Sequence, residues 1–430
     1  MSGAKHIVPR GWCPGVRRPM ETGDGLLVRL HPFGGALDAA QARLVAGAAH
    51  DHGNGLLDIT ARGNLQIRGV RDETYPGLLA LLEREGLAEP EGDGPNRLTT
   101  LSPLAGLDPD ERCDARALAQ DIERRTGVAD LPPKVFVTVD GGGAMPLDAL
   151  GADLHLQATE SDTIAFAVPS PDGLVWTGAT PLAHAPDAAH AMLSGFAQMR
   201  RAGRTEARRL RDLHPDHVRE LAASAALGPV KAPTRRQAAP RAGILPAVNG
   251  CAILLALPFG RCSAAQLAQA AEWSERFGNG EIRLSFTRGA LLPGVAETDA
   301  PSLLSEAERA GFITAADDPR LSLLACPGKP DCASAKTQAP ADALRIAEAC
   351  PGLLAQGVSL HVSGCPKGCA HPGKADLTLV GRTEGGYDVV PNGCARDAAT
   401  LHLSVEDIMT RLLPLQTVDA LRRAFPEPTR

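Results

Sequence analysis

Apolar residues along the chain gather in short runs broken by Gly, Pro and Asn, and the order of these runs occurs twice. In the first instance an apolar run from Leu26 to Leu30 ends at Pro and Gly, which predicts a strand. An Ala-rich amphipathic stretch, Asp38 to Asp51, predicts a helix stopped by Gly-Asn-Gly. Two short strands, Leu56 to Thr60 and Leu65 to Val70, and a helix from Glu73 to Glu85 complete the unit. The same order returns as Ile253 to Leu257, Ser263 to Phe277, Ile282 to Phe286, Ala290 to Val295 and Ala300 to Ala310. Short landmarks recur with it: Pro-Phe-Gly at 32 and 258, Ala-Ala-Gln at 39 and 264, Gly-Asn-Gly at 53 and 278, Arg-Gly at 62 and 288, Gly-Val at 69 and 294. Offsets of 225 or 226 throughout mark a duplicated domain half, because the period is too long for a solenoid.

The strand-helix-strand-strand-helix order predicts an α+β fold in which two ferredoxin-like halves build a pseudo-twofold platform. Between the copies lies a further α/β pattern, with strand-like KVFVTV at 134–139 and an Arg-rich helix near 196–222. The Pro-rich, basic, aperiodic stretch 228–243 reads as a linker. The expected organisation is therefore a first half over 1–88, a first α/β domain over 89–227, a linker over 228–245, a second half over 246–312 and a cysteine-bearing α/β domain over 313–430.

A chain of 430 residues exceeds what one core supports, which agrees with several domains. The net charge of −6 gives no reason to expect nucleic-acid binding, so any anion site must come from local basic residues. The longest apolar run, AILLAL at 252–257, is too short for a bilayer, and the first 25 residues hold no apolar stretch of signal-peptide length. The expectation is a cytoplasmic protein without membrane contact, whose ten cysteines are thiols or metal ligands rather than disulfides.

Four of those cysteines form a pattern. Cys326 and Cys332 lie six apart in ACPGKPDCASA, and Cys365 and Cys369 four apart in HVSGCPKGCAHPGK. The second spacing suits structural zinc and the first does not. Four thiolates on Gly- and Pro-rich loops suit a [4Fe–4S] cube, whose sulfides take backbone N–H donors. Buried structural cysteine is the plain alternative, and it is the better reading for Cys113, Cys251 and Cys262. Cys-Pro-Gly also occurs at Cys13 and Cys350; Cys350 competes for the first ligand position but only Cys326 gives the spacing above, and for Cys13 a core or capping role is favoured over a place lining a substrate cleft.

This pattern downstream of a duplicated half resembles the nitrite/sulfite reductase hemoprotein family, over about residues 20 to 385. The resemblance implies that Cys326, Cys332, Cys365 and Cys369 hold a [4Fe–4S] cluster, with Cys369 in the position that bridges to siroheme. Siroheme carries eight carboxylates. ITARGNLQIRG at 59–69 is similar to the family's Thr-x-Arg-x-x-x-Gln segment, which implies Arg62 and Gln66 as macrocycle contacts. LPPK at 131–134 resembles Leu-Pro-x-Lys and implies Lys134, and PNRLTTLSP implies Arg97 more weakly. Guanidinium groups suit such a ligand because they grip carboxylates with two parallel hydrogen bonds.

Within the family, RGWCPGVRRPMETGDGLLVRL, LSPLAGLDP and HVSGCPKGCAHP look like the precorrin-3B synthase branch of aerobic cobalamin biosynthesis. Reductases commonly carry a second Lys where this chain has Phe136. That resemblance implies an O2-dependent monooxygenase acting on precorrin-3A, with C20 hydroxylation and γ-lactone formation. A separate reductase drawing on NADH would supply the electrons, since no dinucleotide fingerprint follows a predicted strand. A mononuclear non-haem iron is a further expectation; His371, His50 and His52 are candidates without a defined set. A siroheme-dependent nitrite or sulfite reductase is the alternative, and a non-catalytic iron–sulfur or zinc protein the third reading.

Overall fold

Each predicted half forms a sheet, and each sheet is completed by a strand borrowed from the other half. The computed structural model describes residues 12–127, 131–171 and 173–426. The first sheet runs Met20–Thr22, Gly25–Leu30, Leu65–Val70, Leu56–Ile59 and then Arg261–Ser263 from the second copy. The second runs Gly243–Ala247, Gly250–Ala256, Gly289–Val295, Glu281–Leu284 and then Ala36–Asp38 from the first copy. Both exchanged strands pair antiparallel, and each leads directly into its own half's long helix, Ala39–His52 or Ala264–Phe277.

The helix starts explain why the exchange is fixed. Asp38 and Gln41 form a capping box, as do Ser263 and Gln266 at the equivalent place. Ala39 N donates to Gly280 O at 2.9 Å and Ala264 N to Gly55 O at 2.8 Å, so the sheet of one half anchors the helix of the other. A single apolar cluster joins Val28, Leu57 and Ile67 of the first half to Ile253, Ile282 and Leu292 of the second. The platform is one packing unit.

The repeat register is 225 where the backbone is compared. The short turn Phe33–Gly35 matches Pro258–Gly260, which places Gly34 (φ 60°) against Phe259 (φ 59°). In the hairpins Gly63 (φ 66°) matches Arg288 (φ 70°). The Pro-Phe-Gly and Arg-Gly landmarks, offset by 226, are thus one residue out of step with the fold.

Two further five-stranded sheets flank the platform. The first is ordered Thr99–Leu101, Val137–Asp140, Leu154–Glu160, Thr163–Ser170, Gly173–Pro181; the second Leu323–Ala325, Leu360–Ser363, Ala375–Gly381, Tyr387–Gly393, Leu401–Leu403. In both, the first two pairings are parallel and the last two antiparallel. Their first four strands begin 224, 223, 221 and 224 residues apart. The duplication therefore extends to the flanking domains, where the sequence pattern did not reveal it.

Two expectations need correction. The Arg-rich helix near 196–222 is two helices, Ala185–Arg201 and Pro215–Ser224, because Gly203 turns left-handed (φ 66°) and Pro215 can only open a new helix. The strand expected over 134–139 is Val137–Asp140, so Lys134 precedes it. The linker region has no regular element from 229 to 242, and Gly243 already belongs to a strand. Arg236 ties that segment to the first α/β domain, donating to Asp140 Oδ1 at 3.0 Å and Gly143 O at 2.9 Å. Among the described residues no helix is long and apolar enough to cross a membrane.

Candidate functional site

Val28 and Leu30 are fully buried in the platform core, so strand alternation sends Arg29 and His31 to the opposite face. That face opens on a solvent-connected cleft between the first half and the first α/β domain, lined among others by Arg29, His31, Arg62, Arg97, Phe136 and Cys13. The hairpin carrying Arg62 is held tightly. Thr60 N donates to Asn64 O, and Thr60 Oγ1 accepts from the backbone of Arg62 and Asn64, both at 3.2 Å. A Cβ on Gly63 would stand 2.7 Å from Leu284 O, so only glycine fits the turn against the second half.

The cations of the cleft differ in what they already hold. Arg62 lies over the Phe136 ring at 3.8 Å, and among the described residues no carboxylate sits within ion-pair distance of it. Burial lowers its pKa to about 10. Arg29 is likewise lowered by burial; with the Gln66 amide oriented oxygen-inward, Gln66 accepts from it at 2.5 and 2.9 Å. Arg97 is committed to Glu123 at 2.8 Å and donates twice to His31 O. His31 is 9 % exposed, its Nδ1 has no partner, and burial followed by Arg29, Arg97 and Arg62 holds its pKa well below the ordinary value.

Of the four residues expected at a macrocycle, Arg62 and Arg97 line the cleft. Gln66 does not; it lies buried behind Arg29 and orients it. Lys134 is not among the lining residues, whereas Pro133 and Phe136 on either side of it are. Cys13 lines the cleft, the second of the two places expected for it, rather than taking the core or capping role that was favoured. Arg29 and His31 were missed, although two polar residues spaced by one in VRLHP already signal a functional strand face.

The four cysteines lie in a second region. Cys326 follows strand Leu323–Ala325 and Cys365 follows Leu360–Ser363, which pair in parallel, so both loops leave the same sheet edge. Gly364 N donates to Cys326 Sγ at 3.0 Å, and Lys336 N to Gly364 O at 2.7 Å. Lys367 Nζ reaches Ser334 Oγ at 2.8 Å, joining the two cysteine loops. Burial raises the Cys326 thiol. Partial burial and then Cys365, Cys326 and Cys332 push Cys369 up to about 11. The neighbouring cysteines thus add to the rise at Cys326 and Cys369, which a cationic centre would relieve.

The Cys326–Cys332 loop rests on the platform through Arg68, which donates to Asp331 O, and through partly buried ion pairs of Arg261. Arg68 meets Asp24 at 2.8 Å, and Arg261 bridges Asp58 at 2.7 Å to Asp331 at 2.5 Å. Arg288, in the second hairpin, donates to Ala370 O at 2.7 Å.

Residues 18–85 and 247–310 each match the nitrite/sulfite reductase ferredoxin-like half domain. A precorrin-3B synthase from Sinorhizobium sp is 35% identical, over 92% of this chain and 85% of that protein. The chain belongs to the precorrin-3B synthase family. The ferredoxin–nitrite reductase of Synechococcus elongatus is 27% identical, over 85% of this chain and 77% of its own length. The solved structure of the Mycobacterium tuberculosis NirA protein shares the fold, with a TM-score of 0.72, 22% identity and coverage of 90% of this chain and 79% of that one.

Chemistry in the cysteine region fits the iron–sulfur cluster that the wider reductase family implies. Among the described residues no group of three or more His, Cys, Asp and Glu is set to hold a single metal ion. The two cysteine loops nonetheless lie against one another, joined by Gly364 N to Cys326 Sγ and Lys367 Nζ to Ser334 Oγ, and four cysteines on adjoining loops are the donor set that such a cube requires. Four of the seven lysines, Lys329, Lys336, Lys367 and Lys374, are exposed on these loops, where they would offset the negative charge of cluster-bound thiolates. His361 is fully buried on the same sheet edge with both ring nitrogens unpartnered, and a Cβ on Gly368 would lie 3.8 Å from its Cε1. The expected mononuclear iron finds no ligand set among the described residues. His371 bonds Lys374 O, His50 lies beside Asp51, and His52 bonds Thr74 O.

Proposed function

We propose that the cleft binds precorrin-3A and that the protein converts it to precorrin-3B. In this oxygen-dependent reaction one oxygen atom becomes the C20 hydroxyl, the ring A acetate closes as a γ-lactone, and the second oxygen atom leaves as water with two electrons. The observation that carries the reading is a cleft in which Arg29 and Arg62 stand half-buried without carboxylate partners among the described residues, beside the aromatic face of Phe136. Two uncompensated guanidiniums in a half-dry cleft call for an anionic ligand, and an aromatic wall suits a large flat one. Phe136 in place of a second lysine makes the cleft a weaker host for a small inorganic oxyanion.

Cys326, Cys332, Cys365 and Cys369 would hold a [4Fe–4S] cluster, which supplies electrons one at a time. Arg62, Arg97 and Arg29 would orient the ligand carboxylates, with Gln66 fixing Arg29 and Phe136 fixing Arg62. An external reductase would deliver the electrons.

The test is turnover of the protein with precorrin-3A under 18O2 in the presence of excess chemical reductant, which supplies both electrons, read by mass spectrometry. One labelled oxygen atom in a lactone-containing product is expected. Unchanged precorrin-3A, together with siroheme absorption bands and nitrite or sulfite consumption, would establish the reductase reading instead.

A further inference from the structure

His31 differs in kind from the rest of the cleft's charged machinery. Its neighbours Arg29, Arg62 and Arg97 only donate hydrogen bonds, whereas a neutral imidazole offers one donor and one acceptor. The three guanidiniums reach it from three elements: its own strand, the Thr60–Asn64 hairpin, and the segment that enters the Thr99–Leu101 strand. Cys13 faces the same space, and Glu123 stands behind Arg97. Two of these cations, Arg29 and Arg62, have no carboxylate within ion-pair distance among the described residues, so the field at the imidazole is strongly positive while the cleft is empty.

A ligand with several carboxylates reverses that field. Each carboxylate that settles on a guanidinium cancels its repulsion of a proton on His31, and any further carboxylate attracts one. We propose that His31 takes up one proton from solvent as a polycarboxylate enters the cleft, and that the imidazolium then donates a hydrogen bond to the ligand. This rests on the reading of the cleft as a tetrapyrrole site. It adds that the substrate itself charges the histidine, so that the protonated, hydrogen-bond-donating form exists only in the complex.

Linkage fixes the sign. The proton is held more tightly with ligand bound than without, so proton and ligand favour one another. The His31 contribution to affinity is full below the proton affinity of the empty cleft and is lost as pH rises through that of the complex. Between those limits affinity falls by up to about tenfold per pH unit on account of this one group.

The experiment is anaerobic calorimetric titration of the full chain with precorrin-3A near neutral pH, in buffers of different ionisation enthalpy. Wild-type protein should take up more protons per ligand than His31→Gln, by a difference approaching about one. Equal uptake by the two proteins would overturn the proposal. Absence of precorrin-3A binding by wild type would instead sink the tetrapyrrole reading of the cleft. Should His31→Gln fail to fold, 15N-histidine NMR of the wild type decides the matter: a shift of the His31 ring signals to the imidazolium range on adding ligand supports the proposal, and signals that stay neutral refute it.

Discussion

Replacing Arg62 by alanine separates a ligand-binding cation from a structural one, because the two roles predict opposite outcomes for stability. Arg62 has no carboxylate partner among the described residues, and its charge is lowered to a pKa of about 10 by burial, so it is held at some cost in the empty cleft. Its favourable contact is the Phe136 ring at 3.8 Å, worth about 0.5–2 kcal/mol. Loss of that contact and relief of the desolvated charge oppose each other, so the melting temperature of Arg62→Ala should stay within about 4 °C of wild type. Binding is different. A charged hydrogen bond to a ligand carboxylate contributes about 1.5–3 kcal/mol, so affinity for precorrin-3A should fall roughly 10- to 150-fold. Arg62→Lys keeps the charge but loses the planar stack and the bidentate grip, and should fall between the two. The assay is an anaerobic absorbance titration with precorrin-3A, with thermal melting and iron content measured on the same preparations. Affinity within threefold of wild type would show that no carboxylate sits on Arg62. A large drop in melting temperature, or loss of iron, would show that the residue is structural.

Serine at Cys326, Cys332, Cys365 or Cys369 should each abolish or strongly deplete bound iron and sulfide, while Cys113→Ser, packed against the core of the first α/β domain, should retain both; full iron in Cys365→Ser would refute the ligand assignment. Arg68→Ala leaves buried Asp24 and Asp58 with one cation fewer, and should lower stability by about 3–5 kcal/mol in chemical denaturation. Gly63→Ala places a methyl 2.7 Å from Leu284 O at φ 66°, and should lower the melting temperature measurably; an unchanged value would mean that the hairpin and the second half are not in contact. Glu111 is raised to about 7 by burial, so its protonated form favours the fold; its contribution is present below its ordinary 4.5 and is lost as pH rises through about 7. Glu111→Gln should therefore melt higher than wild type at pH 8 and alike at pH 4, and parallel melting curves across that range would contradict the burial argument.

The platform was legible in the sequence because its helices and central strands are long enough to carry a period. What was not legible were the pieces too short for one. The exchanged strands Ala36–Asp38 and Arg261–Ser263 have three residues each, and their pairing is set by the opposite half. The landmark register was misread at two places for a related reason: a left-handed backbone position attracts glycine, but Phe259 and Arg288 occupy it in the second copy, so matching glycines shifts the alignment by one. In the site, Arg62 and Arg97 were visible through their motifs. Arg29 and His31 were passed over although their alternation with apolar Val28 and Leu30 marks a second strand face, and the place of Lys134 outside the cleft lining depends on where the following strand begins.

The duplication offers a physical reason why one chain can hold both a cationic cleft and a thiol-lined loop. The two copies share their strand order, their pairing directions and their helix caps, so the same loop positions arise twice. In the first copy the hairpin position at Gly63 is glycine, which lets the neighbouring Arg62 turn into the cleft and stack on Phe136. In the second copy Arg288 stands at that position, and its guanidinium reaches Ala370, next to Cys369. Likewise, the loop after Leu323–Ala325 starts with Cys326, while the corresponding loop after Thr99–Leu101 starts with Ser102 and carries no thiol until Cys113. Neither copy alone presents both features. The exchanged strands and the common core hold the copies in one register, so side chains that diverged independently in the two copies share one rigid platform. A fold of this kind can change what it binds at one set of loops while the other set keeps its thiols, which is how a reductase-like scaffold comes to host a different tetrapyrrole chemistry.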